Sequence, residues 1–254
     1  AVDGQLSAQG GQLSGDGGFI ETSGDIVRIG DRSSIQANAP QGKAGQWLID
    51  PVNITISDDG LDEDELGTDI RTTFITETLG KGTSVTLDTH RQGYDEGRIT
   101  VDGEINVENS RSGATLTLKA NEAININKNI TFTGEKAPNL TLETTEAGSS
   151  INNGANINIG NGTLNITTGK NGVLNVGSIG ANRVNITANT IKQTEGVTVT
   201  PSTINQLELR QANENKGIYI GATSSSPTGA ESIFDASLFA SGGVFSQVEN
   251  LQLT

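Results

Sequence analysis

The apolar residues of this chain stand in short runs, in which they alternate with Thr, Asn and other polar residues. In the second half one such phrase returns at nearly regular intervals, beginning at Leu116, Leu140, Leu164, Val184 and Leu207. Further phrases of the same kind, such as ININ and LNVG, lie between them. Apolar residues at i and i+2 share one face of a β-strand, and the intervening Gly, Asn and Ser residues suit turns. The pattern therefore predicts many short strands in a repeat.

The length of this repeat, with two or three strands in each period, is typical of a solenoid. The i, i+3, i+4, i+7 spacing of helical repeats and the LxxLxLxxN frame of leucine-rich repeats are both absent. The sequence therefore predicts an all-β solenoid, a parallel β-helix, in which Leu, Ile and Val stack inward and Thr and Asn face water. A narrow core of this kind accounts for the low hydrophobic and aromatic fractions, 33% and 4%.

The pattern divides one continuous structural domain into three segments. Residues 1–56 predict coils that end in the GQWLIDP element, and residues 99–254 predict further coils. Residues 57–98 predict an acidic loop plus a helix, inserted on the side of the rod. The predicted helix has Thr68 as its N-cap, Gly80 as its C′ residue, and Ile70, Phe74 and Ile75 on its packed face.

The charge and the missing residue types limit the partners. The formal net charge of −14 disfavours nucleic acid and anionic membranes, which need clustered basic residues. Without cysteine there is no disulfide framework and no thiolate for catalysis or zinc. No segment is apolar over the length that a membrane span needs. The start of the sequence lacks the pattern of a signal peptide, and methionine is absent, which suggests a processed chain or a fragment.

Two phrases carry a resemblance to a known family. GGFIETSG at 17–24, followed by QWLIDPVNITI at 46–56, resembles the passenger region of bacterial two-partner secretion exoproteins, the family of filamentous haemagglutinin and the high-molecular-weight adhesins. The strand phrase GTSVTLDT at 82–89 is also similar to that family. The repeats after residue 114 also resemble those passengers, but repeats of this kind occur in many β-solenoids and are weaker evidence for the family.

The resemblance implies a right-handed parallel β-helix, secreted to the outside of a Gram-negative cell through an outer-membrane transporter. The family's amino-terminal secretion domain and its carboxy-terminal domains are not in the sequence, so we expect an internal piece of a longer filament. Trp47, the only tryptophan, is interpreted as a buried plug where the cross-section of the rod changes, and the alternative is an exposed sugar-stacking ring.

An acidic run follows the first coils and offers a candidate cation site. It contains Asp58, Asp59, Asp62 and Asp64. Carboxylate oxygens are ligands that Ca²⁺ prefers, but the run lacks the spacing of an EF-hand or a calcium β-roll. A solvated loop is the competing interpretation.

Six N-x-[ST] sequons mark candidate sites of N-glycosylation, at Asn53, Asn129, Asn139, Asn161, Asn165 and Asn185. Asn- and Thr-rich coils produce such triplets by composition alone. The resemblance implies a second interpretation, since some adhesins of the family receive hexoses on sequon asparagines.

Catalytic and haem sites have little support in the sequence. The only histidine, His90, lies in a polar loop beside Arg91, and no paired-carboxylate or Ser-His-Asp pattern accompanies it or Arg98. Haem would have His90, Tyr94 and Tyr219 as its axial candidates. We therefore predict no enzyme activity and no cofactor.

The expected function is that of a secreted, cell-surface adhesin segment that binds a host-cell glycan or surface protein. The insertion at 57–98 is the expected recognition surface, because loops carry function on rigid scaffolds. Two alternatives stay open: a passive stalk that displays domains elsewhere in the parent protein, and a polysaccharide-active β-helix enzyme.

Overall fold

The chain folds as a parallel β-helix, which confirms the predicted fold class. The computed structural model describes residues 1–59, 68–90, 97–108, 110, 113–212, 217–221 and 232–254. Short parallel strands stack coil upon coil into three faces, joined into one apolar interior.

The main face is the longest ladder. In stacking order its nine described strands are β2 (Phe19–Ser23), β4 (Gln46–Asp50), β7 (Ser84–Asp88), β10 (Thr115–Ala120), β13 (Asn139–Thr144), β16 (Thr163–Thr167), β18 (Ser178–Ala188), β20 (Ile204–Gln211) and β23 (Val248–Leu253). With a strand spacing of about 4.8 Å, the face is roughly 38 Å long.

The register of the main face places each repeated phrase directly over the previous one. One inward column contains Ile20, Trp47, Val85, Leu116, Leu140, Leu164, Val184, Leu207 and Leu251. From Trp47 to Leu207 every member is at most 1% exposed. A second inward column lies two residues further along each strand. Burial of the two columns, at about 25 cal/mol per Å² of apolar area, is the main force that holds the coils in register.

The second face has nine described strands. In stacking order they are β6 (Thr68–Arg71), β5 (Ile54–Ser57), β8 (Arg98–Val101), β11 (Ala123–Ile126), β14 (Ser150–Asn153), β17 (Val173–Val176), β19 (Thr190–Gln193), β22 (Ser232–Asp235) and β21 (Ile218–Gly221). In two places the order in the stack reverses the order in the sequence. Strand β6 follows β5 in the sequence but precedes it in the stack, and β22 follows β21 in the sequence but precedes it in the stack. We call each such reversal, with the strand and helix around it, a detour.

The third face contains shorter strands and the only α-helix of the described residues. Its strands are β1 (Gln5–Ser7), β3 (Ser34–Gln36), β9 (Ile105–Glu108), β12 (Ile130–Thr133), β15 (Asn156–Asn158) and the first residues of β18. Helix α1 (Thr72–Gly80) packs against β3 on one side and β9 on the other, so it takes the place of one strand in the stack.

The predicted helix exists, but its predicted start is wrong, and of its predicted packed face only Ile75 is a buried helix residue. Thr68 begins strand β6 instead of capping the helix, and its hydroxyl oxygen accepts a hydrogen bond from the Val27 backbone N–H at 2.9 Å. The N-cap is Arg71, which makes no side-chain cap. The buried helix face contains Ile75 and Leu79, whereas Phe74 is only half-buried.

The C-terminal end of the helix also differs from the prediction. Gly80 is the last helical residue, and the left-handed backbone conformation falls on Gly82, at φ = 89°. A glycine adopts that conformation without the steric cost that a side chain would add. The predicted start is wrong because Ile70 fits two patterns. It alternates with Thr68 as in a strand, and it also lies four residues before Phe74, as on one face of a helix.

Trp47 is completely buried, as the sequence indicates. Its ring lies in the inward column between Ile20 and Val85, and its indole N–H donates to the Thr22 hydroxyl at 3.1 Å. The largest side chain of the core therefore has its single polar atom satisfied, as buried tryptophans require.

The glycines that open the first resemblance phrase lie against Gly45, which immediately precedes the second phrase, in the neighbouring coil. A Cβ added at Gly17 would lie 1.8 Å from the Ala37 carbonyl oxygen and 2.5 Å from the Gly45 nitrogen. A Cβ at Gly45 would lie 2.3 Å from the Gly18 carbonyl oxygen. Close backbone approach, and not turn conformation, is the reason for glycine at both positions, because neither has a positive φ.

Outward-facing asparagines form hydrogen-bonded columns that run along the rod. On the second face, Asn152 donates through its amide to Asn125 at 2.8 Å and accepts a bond from Asn175. On the main face, Asn185 donates to Asn165 at 2.8 Å. Each bond joins two coils, so these columns add polar links to the apolar register.

Candidate functional site

A groove of about 480 Å³ lies on the outside of the main face. Three neighbouring strands, β18, β20 and β23, supply its lining, which is mostly polar. The polar lining residues are Arg183, Asn185, Gln206, Glu208, Asn250 and Gln252. We call this the amide groove.

Strand register alone brings the lining of the amide groove together. One outward column contains Arg183, Gln206 and Asn250, and the next contains Asn185, Glu208 and Gln252. Side chains at i and i+2 on a strand face the same way, so the six form a block of two columns over three coils. The ladder beneath therefore fixes the spacing of the six residues along the face.

Glu208 is the only carboxylate among the described residues of the lining. Its Oε1 accepts hydrogen bonds from Arg210 Nε at 2.8 Å and from the Thr254 hydroxyl at 3.2 Å. The hydrogen bond from Arg210, with further help from Thr254 and the charge of Arg183, holds the pKa of Glu208 below its ordinary value, against a smaller effect of desolvation. Glu208 is therefore ionised at neutral pH.

Several polar groups of the amide groove remain available for a ligand. Among the described residues, the side chains of Arg183, Gln206 and Gln252 make no hydrogen bond to another residue. A guanidinium offers five N–H donors, and each amide offers both a donor and an acceptor. Together with the Glu208 carboxylate, these groups suit a ligand that is rich in hydroxyl groups and can donate and accept in turn.

A smaller groove adjoins the first one at the corner between the third and main faces. It has a volume of about 280 Å³, and its lining includes Asn158, Asn161, Asn182, Ser202 and Asn205. The Asn205 amide donates to Asn182 at 2.7 Å across this corner. Because Asn182 and Asn205 immediately precede Arg183 and Gln206, the two grooves form one continuous polar surface.

The structure describes only part of the candidate cation site. Asp58 and Asp59 are exposed, and Asp58 accepts a hydrogen bond from the Thr72 hydroxyl at 2.9 Å. Asp62 and Asp64 lie outside the described residues. Within the described part of the chain, no group of three or more acidic, His or Cys residues stands close enough to hold a metal. The cation site stays a prediction.

The six sequon asparagines differ in accessibility. Asn53 and Asn161 are exposed, and the other four are half-buried. Asn129, Asn139 and Asn165 each accept a hydrogen bond through the side-chain oxygen, and Asn185 donates one. Asn53 accepts from the Arg98 backbone N–H at 2.8 Å. Asn161 makes no side-chain hydrogen bond within the described residues. Modification at these sites stays a prediction.

The remaining candidates from the sequence do not meet in one site. His90 is half-buried just after β7, and its backbone N–H donates to Asp88 Oδ1 at 2.8 Å. Arg98 forms an exposed ion pair with Glu122. Tyr219 lies on β21, while Arg91 and Tyr94 fall outside the described residues. Much of the predicted recognition insertion, namely 60–67 and 91–96, also lies outside the described residues. That the insertion is a recognition surface therefore stays a prediction.

Sequence reasoning missed the amide groove because its residues belong to ordinary coil phrases. In VNITA and LELRQ the apolar pattern identifies the inward residues alone, and the outward Arg and Glu look like solvated positions. The available signal was the register, since Arg183 and Gln206 occupy the same outward position one repeat apart.

The sequence matches no protein-family model, and no curated protein is detectably similar to it. Among the described residues, no helix has the length and apolarity to cross a bilayer.

Proposed function

We propose that this chain is a segment of a secreted, cell-surface filamentous adhesin of a Gram-negative bacterium, and that it binds a glycan of a host cell or matrix in the amide groove. The observation that carries the proposal is the block of available donors and acceptors on one sheet face, which includes Arg183 and Gln206 side by side on β18 and β20. The phrases at 17–24 and 46–56 support the adhesin part, by their resemblance to exoprotein passengers.

Binding suits the amide groove better than hydrolysis does. Glycoside hydrolysis uses two carboxyl groups about 5 to 10 Å apart, and the described part of the lining has one, that of Glu208. Glu208 is also engaged by Arg210 and kept ionised, so it is a poor proton donor at neutral pH. A hydroxyl-rich ligand, by contrast, replaces the water on the free amides without proton transfer.

Display of many filaments on one cell surface also suits attachment through this groove. Individual glycan contacts are weak, and several contacts made at once multiply the apparent affinity. Partners in this proposal are a host-cell glycan or a glycosylated surface protein.

A glycan array probed with the full chain tests the proposal. We expect saturable binding to a defined glycan, and a loss in affinity of at least about tenfold for Arg183→Ala, since a hydrogen bond to a charged group contributes about 1.5–3 kcal/mol. For Gln206→Ala we expect a loss of about two- to tenfold, since a hydrogen bond between neutral groups contributes about 0.5–1.5 kcal/mol. Lys170→Ala is the matched control, because it removes one exposed positive charge from a turn away from the groove.

Each other outcome has a defined meaning. Binding that the groove variants leave unchanged would place the site elsewhere, with the insertion at 57–98 as the next region to replace. No binding on the array or to epithelial cells would favour the passive stalk.

A further inference from the structure

Three asparagines of neighbouring coils are each followed directly by a glycine: Asn153, Asn161 and Asn171. An Asn-Gly pair can react without an enzyme, because the backbone nitrogen of the glycine can reach the side-chain amide carbon of the asparagine. Glycine has no side chain to obstruct this approach. The fold gives the three pairs different surroundings, and it therefore decides which of them reacts.

Asn153 is held inside the rod. The residue is 2% exposed, its amide nitrogen donates to the Ser178 carbonyl at 3.4 Å, and its amide oxygen accepts from the Ala155 N–H at 3.1 Å. The nitrogen that would attack, that of Gly154, donates to the Ile126 carbonyl of the neighbouring coil at 2.9 Å. A reaction at Asn153 would therefore have to break three hydrogen bonds and draw the side chain out of the interior.

Asn161 lies in solvent at the corner between the third and main faces. It is exposed, and its side chain makes no hydrogen bond within the described residues. The Gly162 N–H donates to the Ile159 carbonyl at 2.8 Å and closes a turn, in which Gly160 has φ = 49°. Release of the attacking nitrogen therefore requires only a local opening of this turn.

Asn171 is also exposed at a turn, but at a different place on the rod. The turn is closed by the Gly172 N–H, which donates to the Gly169 carbonyl at 2.8 Å, and Asn171 has φ = 60°. Asn171 lines neither of the two grooves, whereas Asn161 belongs to the lining of the smaller one. A reaction at Asn161 therefore changes a candidate binding surface, and one at Asn171 does not.

We propose that Asn161 is a site of spontaneous deamidation, and that burial protects Asn153 from the same reaction. The Gly162 nitrogen forms a bond to Asn161 Cγ, the Cγ–Nδ2 bond breaks, and the amide nitrogen leaves as ammonia with the proton of the Gly162 N–H. Water then adds to one of the two carbonyl carbons of the succinimide ring and opens it. The product is aspartate, or isoaspartate, in which the main chain runs through the former side-chain carbon.

Deamidation at Asn161 alters the smaller groove in two ways. The described lining of that groove, which includes Asn158, Asn182 and Asn205, is uncharged, so the product places a carboxylate where the described residues have none. An isoaspartate also adds one atom to the main chain in the turn that leads into β16.

The same reaction removes a candidate site of glycosylation. Asn161 is the acceptor of the sequon Asn161-Gly162-Thr163, in which the side-chain amide nitrogen would carry the sugar. Deamidation removes that nitrogen, and a sugar on it would prevent its loss as ammonia. The two modifications therefore exclude each other at this residue.

Peptide mass spectrometry of the purified, unglycosylated full chain, incubated in mildly alkaline buffer, tests the proposal. Fragment spectra locate each replacement of NH₂ by OH, so they distinguish Asn161 from Asn153. We expect Asn161 to convert at least about tenfold faster than Asn153, because three hydrogen bonds must break at Asn153 and one at Asn161. Both aspartate and isoaspartate should form, since the succinimide ring opens at either carbonyl carbon, and chromatography separates the two peptides.

The same chain unfolded in guanidinium chloride is the control for the sequence. Unfolding removes the different surroundings, so Asn153 and Asn161 should then convert at similar rates. Asn161→Gln should abolish conversion at that position, because the longer side chain does not form the five-membered ring. Substitution of Gly162 is not a suitable control, since a Cβ there would lie 2.5 Å from the Pro138 carbonyl oxygen.

Two results would overturn the proposal. One is equal conversion of Asn153 and Asn161 in the folded chain. The other is conversion at Asn161 no faster than at Asn158, an exposed asparagine of the same groove that is followed by isoleucine. Glycan binding does not enter these measurements, so this proposal and the proposed function fail separately.

Discussion

The hydrogen bond between Trp47 and Thr22 allows a sharp test of the interior. Thr22→Val keeps the shape of the side chain and its strand preference but removes the oxygen that accepts from the indole N–H at 3.1 Å. The indole is 0% exposed, so water cannot replace the lost partner. Leaving a buried donor unsatisfied costs about 1–3 kcal/mol. We therefore expect Thr22→Val to lower the free energy of unfolding by that amount.

The assay is chemical denaturation followed by fluorescence, because Trp47 is the only tryptophan and reports on the coil in question. The matched control is Thr117→Val, an outward, half-buried threonine of the same face without a side-chain hydrogen bond among the described residues. A surface change of this kind should remain within about 0.5 kcal/mol of the parent.

A double-mutant cycle separates the hydrogen bond from packing. Trp47→Phe alone creates a cavity and leaves the Thr22 hydroxyl without its donor, whereas Thr22→Val with Trp47→Phe leaves no unpaired indole. The double variant should therefore cost at least about 1 kcal/mol less than the sum of the single variants, measured by circular dichroism for all four proteins. Strict additivity, or a Thr22→Val effect no larger than that of Thr117→Val, would refute the reasoning.

Three further predictions follow from contacts described above. Gly17→Ala should cost about 1–3 kcal/mol by overpacking, while Gly4→Ala, where nothing lies within 4 Å of the new Cβ, should be neutral in the same fluorescence titration. Asn152→Ala removes two amide hydrogen bonds between coils and should cost about 1–3 kcal/mol, seen as a lower midpoint of thermal unfolding; an unchanged midpoint would mean that the column adds no stability. The pKa of Glu208 lies below its ordinary value, so its ion pair stabilises the fold above the usual glutamate range and is lost as pH falls through the lowered pKa. An NMR titration of that carboxyl should show the low midpoint, and Arg210→Ala should raise it.

Most of the stacking can be predicted from the sequence because the inward residues repeat. The intervals between Leu116, Leu140 and Leu164 are the intervals between paired strands, so the phrase spacing defines the register directly. The fold class follows from the same pattern, since two apolar residues per phrase can be buried only by stacking on the next coil.

The detours are harder to predict from the sequence, because the residue patterns of their segments are short and fit more than one element. The sequence predicts the first as an insertion with a helix, yet TDIR forms a strand of the second face before the helix begins. The second lies in GIYIGA and ESIFDASLF, which look like the ordinary ends of coils. The two detours are recognised as similar only from their strand pairing, because the paired residues are equally far apart in the sequence in both. The sequence alone does not show which strands pair.

The amide groove is harder to recognise in the sequence for a different reason. Its lining comes from outward positions, where hydrophobic periodicity places no constraint on residue type. Arg183 and Asn250 are distant in the sequence, and only the stacking of three coils makes them neighbours.

The direction of the ladders has a mechanical consequence. Successive strands of the main face are successive coils, so the hydrogen bonds between Leu116, Leu140 and Leu164 point along the rod. A force applied along the rod therefore separates one coil from the next in turn, starting from an end. Each coil contributes about 4.8 Å when folded and about 80 Å when extended. A tethered rod of this construction would yield in steps of roughly 75 Å, and would absorb a sudden load by lengthening while its remaining coils stay intact.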